Sequence, residues 1–319
     1  MFNLGAITGS NAAAYEPSTE APTLSGKVVL VTGGSSGLGK QSVLLLARQG
    51  AFQIWLTART SAEADQACED VRRQVPGTNV KGLALNLASL RSVTEAARTI
   101  LASLTSLDIL MLNAGVMGTS PTLTEDGYEH QFGINYMGHA FFTKLLFPLL
   151  DQTSMDGADV RVIILTSYSH WNSPHGGIQF DVLKTRAEQL PSLQRYAQSK
   201  LALILFARQL AKDNPRLTVA AVHPGAADTD LQKGTAGIGW ADWVLGWVIN
   251  KLILYQPVET VAKHQVWAAT TPKLVSGEYY EPLGLVGKRR PEAADDELAA
   301  KLWNWSEVEF QSWQNRNKL

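Results

Sequence analysis

Lys27-Val28-Val29-Leu30-Val31-Thr32-Gly33-Gly34-Ser35-Ser36-Gly37-Leu38-Gly39 is the stretch whose reading decides the fold. Residues 27–32 form an apolar run rich in β-branched side chains, which reads as a buried strand. Gly33, Gly37 and Gly39 then follow the spacing G-x-x-x-G-x-G, and a helical pattern covers 38–49. Glycine permits a tight turn and lets a ligand approach the backbone closely. A helix starting there aims unpaired N–H groups at whatever sits above the turn, and an anion such as a pyrophosphate suits them. Gly33, Ser35, Ser36, Gly37, Leu38 and Gly39 are therefore candidate contacts for a dinucleotide. The same residues also spell G-x-S-x-G around Ser35, the nucleophile-elbow pattern of serine hydrolases. Such elbows normally follow several earlier strands, whereas one strand precedes Ser35.

Working outward, strands and helices alternate. Strand patterns are predicted at 53–57, 80–85, 107–112, 160–166 and 217–222. Helical patterns are predicted at 61–74, 89–104, 125–150 and 193–212. The strands are nearly all apolar, as expected when helices cover both faces of a parallel sheet. The expected fold class is α/β: a Rossmann-type doubly wound parallel sheet in one domain, residues 27–319. Residues 1–26 read as a poorly ordered leader rich in Ala, Ser, Thr and Pro. Residues 226–256 are predicted to form a helical substrate lid, and 292–316 a C-terminal helix.

Composition narrows the function classes. The 319 residues carry a formal net charge of -1, so no global basic field exists to hold nucleic acid. One cysteine, Cys68, rules out a disulfide within the chain and suits a reducing, cytoplasmic setting. The six histidines show no metal-ligand spacing, so no metal is expected. The N-terminus lacks the basic and apolar regions of a secretory signal. The last three residues, Asn317-Lys318-Leu319, loosely resemble a peroxisomal Ser-Lys-Leu ending.

Several residues then converge on one chemistry. After the second strand stands Thr57-Ala58-Arg59-Thr60, with no acid until Glu63. An acidic residue there would bind the ribose hydroxyl of NAD, whereas Arg accommodates the 2′-phosphate of NADP. Arg59 therefore points to NADP(H) as cofactor; the plain alternative is a solvated Arg at a strand end. Tyr196-Ala197-Gln198-Ser199-Lys200 puts a phenol and an ammonium on one helix face at i and i+4. A nearby ammonium is expected to lower the phenol's pKa and ready Tyr196 for acid/base work beside a nicotinamide. Asn113-Ala114-Gly115, Ser167 and Pro224-Gly225 end or follow strands, where doubly wound sheets bind ligands. Asn135 sits in FGINYMGHAFF, a largely apolar helical stretch, and calls for a hydrogen-bond partner.

Taken in order, T-G-x-x-x-G-x-G, N-A-G, the helix Asn, the Ser after the fifth strand, Y-x-x-x-K and P-G resemble the short-chain dehydrogenase/reductase family. The strings LNAGVM (112–117), EDGYEHQFGINYMGH (125–139) and SKLALILF (199–206) look most like its retinol-dehydrogenase and WW-domain-oxidoreductase branch. The resemblance implies a carbonyl/alcohol oxidoreductase. Tyr196 would be the acid/base, Lys200 would hold the nicotinamide ribose and lower the Tyr196 pKa, and Ser167 would bond the substrate oxygen. Asn135 would hold a water in a proton relay with Lys200. Asn113 would meet the adenosine ribose, Thr229 the carboxamide, and Asn86 with Leu87 the adenine. The family usually has Asp where this chain has Asn86; Asn keeps an acceptor oxygen. A rival reading is a non-catalytic NADP-binding sensor or scaffold, although such a protein has no use for Ser167, Tyr196 and Lys200 together.

Substrate choice is assigned to residues after Gly225. Trp240, Trp243 and Trp247 lie at i, i+3 and i+7, one stripe of a helix. With Tyr168 they are candidate pocket lining, which suits a lipophilic or aromatic carbonyl/alcohol substrate; core packing would give the same stripe. Asp242 and Lys251 interrupt the apolar run, which argues against a membrane span and leaves room for peripheral membrane contact. A monomer and a homodimer are both compatible with the sequence.

Overall fold

The computed structural model describes residues 8, 10, 14–227 and 256–318. Strands β1 (Val28–Val31), β2 (Gln53–Ala58), β3 (Val80–Ala84), β4 (Ile109–Leu112), β5 (Val160–Leu165), β6 (Leu217–Val222), β7 (Tyr279–Glu281) and β8 (Leu285–Val286) form one sheet in the order β3-β2-β1-β4-β5-β6-β7-β8. All neighbours run parallel except β7 and β8, which are antiparallel. The helices are α1 (Pro17–Glu20), α2 (Gly37–Arg48), α3 (Ser61–Gln74), α4 (Leu90–Ser103), α5 (His130–Phe132), α6 (Gly138–Met155), α7 (Ser192–Asp213), α8 (Val258–Thr270) and α9 (Asp296–Asn317).

Side chains alternate across each strand, so one strand feeds two cores. Leu30, Leu110, Leu112, Val162 and Ile164 pack on one face with Phe141, Phe142 and Leu203 of α6 and α7. Val29, Val31, Ile54 and Ile163 pack on the other with Val43, Val71 and Val266 of α2, α3 and α8. Helices on both faces explain why the strands carry almost no polar side chains. The expected doubly wound sheet is therefore the observed one. Its strand order reverses between β1 and β4, and a crevice opens there beyond the C-terminal ends of the strands.

Three boundaries differ from expectation. The helix predicted over 125–150 begins at His130, because Thr124–Gly127 makes a turn with Gly127 at φ 83° and Glu129 then caps Phe132 N–H. It is also broken by a π turn, Gly133–Met137, before α6 runs on to Met155. The C-terminal helix starts at Asp296, after a 3₁₀ turn over Pro291–Ala294. Part of the predicted leader is packed rather than loose. Tyr15 is buried and its hydroxyl meets Thr270 Oγ1 at 3.3 Å, Glu16 pairs with Lys263, and Leu24 N–H donates to the Gln49 carbonyl. The strands β7 and β8 have no counterpart among the predicted strands: at three and two residues they are too short to show a period.

Candidate active site

The Gly turn after β1 is built as its sequence requires. Gly33 and Gly37 have φ of 64° and 50°, a region that glycine enters without strain. A Cβ on Gly39 would collide with the Gly33 carbonyl and the Asn113 amide, so the first turn of α2 presses against the loop it caps. Gly33 N–H donates to Thr57 Oγ1 at 3.2 Å, which ties the turn to the end of β2. Asn113 donates its amide to the Thr32 carbonyl at 2.9 Å, while its own Oδ1 is buried with no partner.

A cleft of about 970 Å³ runs along the strand ends. It is lined by every described residue predicted to meet a dinucleotide: Gly33, Ser35, Ser36, Gly37, Leu38, Gly39, Arg59, Asn86, Leu87, Asn113, Ala114, Gly115, Pro224 and Gly225. Ser167, Tyr168, Tyr196 and Lys200 line the same cleft. An N-terminal helix turn with unpaired N–H groups, glycines where a side chain would block approach, and an orphan acceptor at Asn113 fit a dinucleotide. Thr229, Trp240, Trp243 and Trp247 lie outside the described residues. Among the described residues no cluster of His, Cys, Asp and Glu could hold a metal ion, and no helix is long and apolar enough to cross a membrane.

Tyr196 and Lys200 are buried, and Ser167 is half-buried. Lys200 Nζ lies 5.7 Å from the centre of the Tyr196 ring and donates to the Leu165 carbonyl at 2.9 Å. Thr166 Oγ1 donates to the Lys200 carbonyl at 2.7 Å, locking α7 to the end of β5. Ser167 caps the 3₁₀ turn Tyr168–Asn172: its Oγ accepts from Ser169 N–H and donates to Ser169 Oγ, both at 3.1 Å, beside the Tyr196 hydroxyl. Burial pushes the Tyr196 phenol up to about 12, and the Ser167 hydroxyl offsets part of that rise. Burial pulls Lys200 down to about 7. This corrects the sequence-based expectation that Lys200 lowers the Tyr196 pKa. Desolvation is the chief cause of both shifts, because both groups are buried at the helix–sheet junction.

Asn135 does not line the cleft. Its Oδ1 accepts from Val116 N–H at 2.8 Å, and its Nδ2 donates to the Val116 carbonyl at 3.0 Å and to Ser199 Oγ at 2.8 Å. Its side chain is thus spent on positioning the loop after β4 and the Tyr196 helix. Asn86 Oδ1 accepts from Ala88 N–H at 3.0 Å and retains a second lone pair. Arg59 is 84% exposed at the side chain and reaches Glu63 at 3.7 Å.

A profile of the short chain dehydrogenase family matches residues 27–176. Retinol dehydrogenase 13 of Homo sapiens is 38% identical over 288 residues, spanning 88% of this chain and 83% of the relative. This chain belongs to the short-chain dehydrogenase/reductase family. Short-chain dehydrogenase/reductase drtF of Aspergillus calidoustus is 36% identical, spanning 91% of this chain and 95% of that protein. A solved structure of an uncharacterised protein from Mycobacterium Paratuberculosis superposes with a TM-score of 0.70 at 27% identity, over 92% of this chain and 97% of that one. As a member of this family the chain is an oxidoreductase, which displaces the Ser35 hydrolase reading. The geometry agrees: Ser35 has none of the left-handed backbone strain that an elbow nucleophile carries.

Two functional groupings escaped the sequence. Arg195, one residue before Tyr196, forms a buried pair with Glu129 at 3.0 Å and donates to the Thr119 carbonyl, so it holds the loop that flanks the cleft. His139 joins Thr32 to the π turn of Asn135. Arg195 gave no signal, since an Arg on a helix reads as solvated. His139 did give one: it is a titratable group inside the apolar run that holds Asn135.

Proposed function

We propose that the protein interconverts a carbonyl and an alcohol on a lipophilic or aromatic small molecule, with NADP(H) as hydride carrier and Tyr196 as proton donor or acceptor. The observation that carries this is the convergence of Ser167, Tyr196 and Lys200 in the cleft that begins at the Gly turn. The turn from Gly33 to Gly39 would hold the pyrophosphate, Asn113 the adenosine ribose, and Arg59 the 2′-phosphate. The bound nicotinamide supplies or accepts the hydride.

Tyr196, at about 12, keeps its proton throughout the neutral range and is in the state that a carbonyl reduction needs. The Ser167 hydroxyl steadies the oxygen as charge develops on it. Lys200, poised near 7, is able to carry a replacement proton to the phenol without a large pKa barrier. Tyr168, Ser169 and Asn172 line the cleft next to Ser167, where a substrate would sit. The relative named a retinol dehydrogenase has a lipophilic substrate in its name, which supports the apolar class.

The test is a panel of apolar ketones, aldehydes and alcohols, followed by nicotinamide absorbance with both cofactors. Tyr196→Phe should lower turnover by about a thousandfold and leave dinucleotide affinity within about twofold. Tight NADPH binding with no turnover of any substrate would favour a sensor instead. Full activity in Tyr196→Phe would remove Tyr196 from the chemistry.

A further inference from the structure

Asn135 sits at the centre of a π turn, and π turns inside helices recur at functional sites because they re-aim one residue. Two glycines make this one fit. A Cβ on Gly133 would collide with Thr124, and a Cβ on Gly138 would come within 2.6 Å of the Leu87 carbonyl. These contacts bring the turn close to its neighbours but do not fix its rotation about the helix axis. The Asn135 side chain is held by Val116 and Ser199; its carbonyl is held by His139.

His139 is fully buried, with a different partner on each ring nitrogen. Nδ1 lies 2.9 Å from the Asn135 carbonyl oxygen, which only accepts, so Nδ1 carries the hydrogen. In the neutral ring Nε2 is then a lone pair, and it lies 2.9 Å from Thr32 Oγ1, which must donate to it. The same Thr32 oxygen accepts from the backbone N–H of Asn113 at 2.9 Å and of Ala114 at 3.1 Å. One hydrogen-bond chain thus runs from the strand end that flanks the Gly turn, through Thr32 and His139, to the carbonyl of Asn135. Burial and the Lys200 charge both hold the ring neutral, at about 4, so the chain keeps one direction across the working pH range.

The far end of this chain is close to the chemistry. Asn135 Oδ1 and Lys200 Nζ lie 3.1 and 3.5 Å from the same point above Gly115, the position its Cβ would take. A rotation of the π turn would therefore be felt at Lys200.

We infer that His139 is a positioning residue of the active site, a fixed-tautomer bridge that sets Asn135, and through it Lys200, relative to the dinucleotide-binding strand ends. This rests on the oxidoreductase reading of the same cleft. Both hydrogen-bond partners of the ring, Thr32 and Asn135, lie outside the cleft lining, so its loss should act on the rate of the chemical step rather than on binding.

The test compares His139→Leu, which removes both bonds, with His139→Asn, whose amide replaces Nδ1 as donor to the Asn135 carbonyl. His139→Leu should lower kcat at least about tenfold, with KM and the dinucleotide Kd within twofold. His139→Asn should recover at least a third of the lost rate. Nitrogen NMR on the wild-type protein should show a histidine with hydrogen on Nδ1 and no titration between pH 5 and 9, assigned to His139 by its loss in His139→Asn, whereas His170 and His264, whose Nδ1 atoms also face carbonyls, keep their signals. Unchanged kcat in a folded His139→Leu, or equal losses in kcat and dinucleotide affinity, would overturn the inference. So would hydrogen on Nε2 or a titration near pH 6.5. If the wild type turned over no substrate, the functional reading would fail, while the NMR measurement would still decide the tautomer.

Discussion

Arg59 shows how far a single side chain can be read. Its position after β2 was legible from sequence, because the residue that follows the second strand meets the adenosine ribose in this architecture. Its side chain is 84% exposed and loosely paired with Glu63, so it is free to turn toward a phosphate at little cost. Arg59→Asp replaces a donor fork with a like charge. It should weaken NADPH by about ten- to a hundredfold and leave NADH within about threefold, as read by fluorescence titration of each dinucleotide. An unchanged preference would show that Arg59 does not read a 2′-phosphate. Tyr196, Lys200 and the glycines were equally legible, since each belongs to a short pattern whose spacing carries its geometry; Ser167 was read from its place at the end of the fifth strand. The Tyr196 and Lys200 ionisation states were not. Spacing shows that two groups are neighbours, but burial decides their charge, and burial depends on Leu165, Thr166 and the sheet beneath.

At the scale of the element, errors collected where a local signal overrode a period. The apolar pattern from 125 onward is helical, yet Asp126-Gly127 forces a turn, and Gly133 and Gly138 admit a π turn that no periodicity reveals. The start of α9 is set in the same local way. Asp295 accepts from Glu297 and Leu298 N–H groups, at 2.9 and 3.0 Å, and satisfies two of the four free donors of that end. Asp295→Ala should cost about 1 kcal/mol, seen as a fall in Tm of about 2 °C. Downstream, α9 packs Trp303 on Phe206 and Phe310 on Phe141, ring pairs that hold the helix against α6 and α7. No change in Tm would show that these aromatic contacts fix α9 without help from its cap.

Across the whole molecule, buried titratable groups decide how stability follows pH. His139 and His170 are held near 4 and His264 near 3, in each case chiefly by burial. An unfolded chain protonates these rings near 6.5, so below that pH the unfolded state binds more protons and stability falls as pH falls. Each ring contributes about 1.4 kcal/mol per pH unit within its window. Raised carboxyls at Asp126 and Glu281 oppose this trend in acid, but they are two partly buried groups against three deeply buried ones. Lys200 adds to the alkaline side. Held near 7, it binds fewer protons than the unfolded chain up to about pH 10, so stability keeps rising through that range. Above about pH 10 the sign reverses. Burial holds the hydroxyls of Tyr128, Tyr136, Tyr196 and Tyr279 protonated, whereas an unfolded chain releases them. Thermal unfolding followed from pH 4 to 11 should therefore peak between about pH 8 and 10, with the steepest loss on the acid side below about pH 6. A maximum near pH 5 to 6 would contradict the burial of these rings and of Lys200. His264→Gln should flatten the acid limb by about one proton's worth of slope, because its ring is fully buried and donates Nδ1–H to the His223 carbonyl.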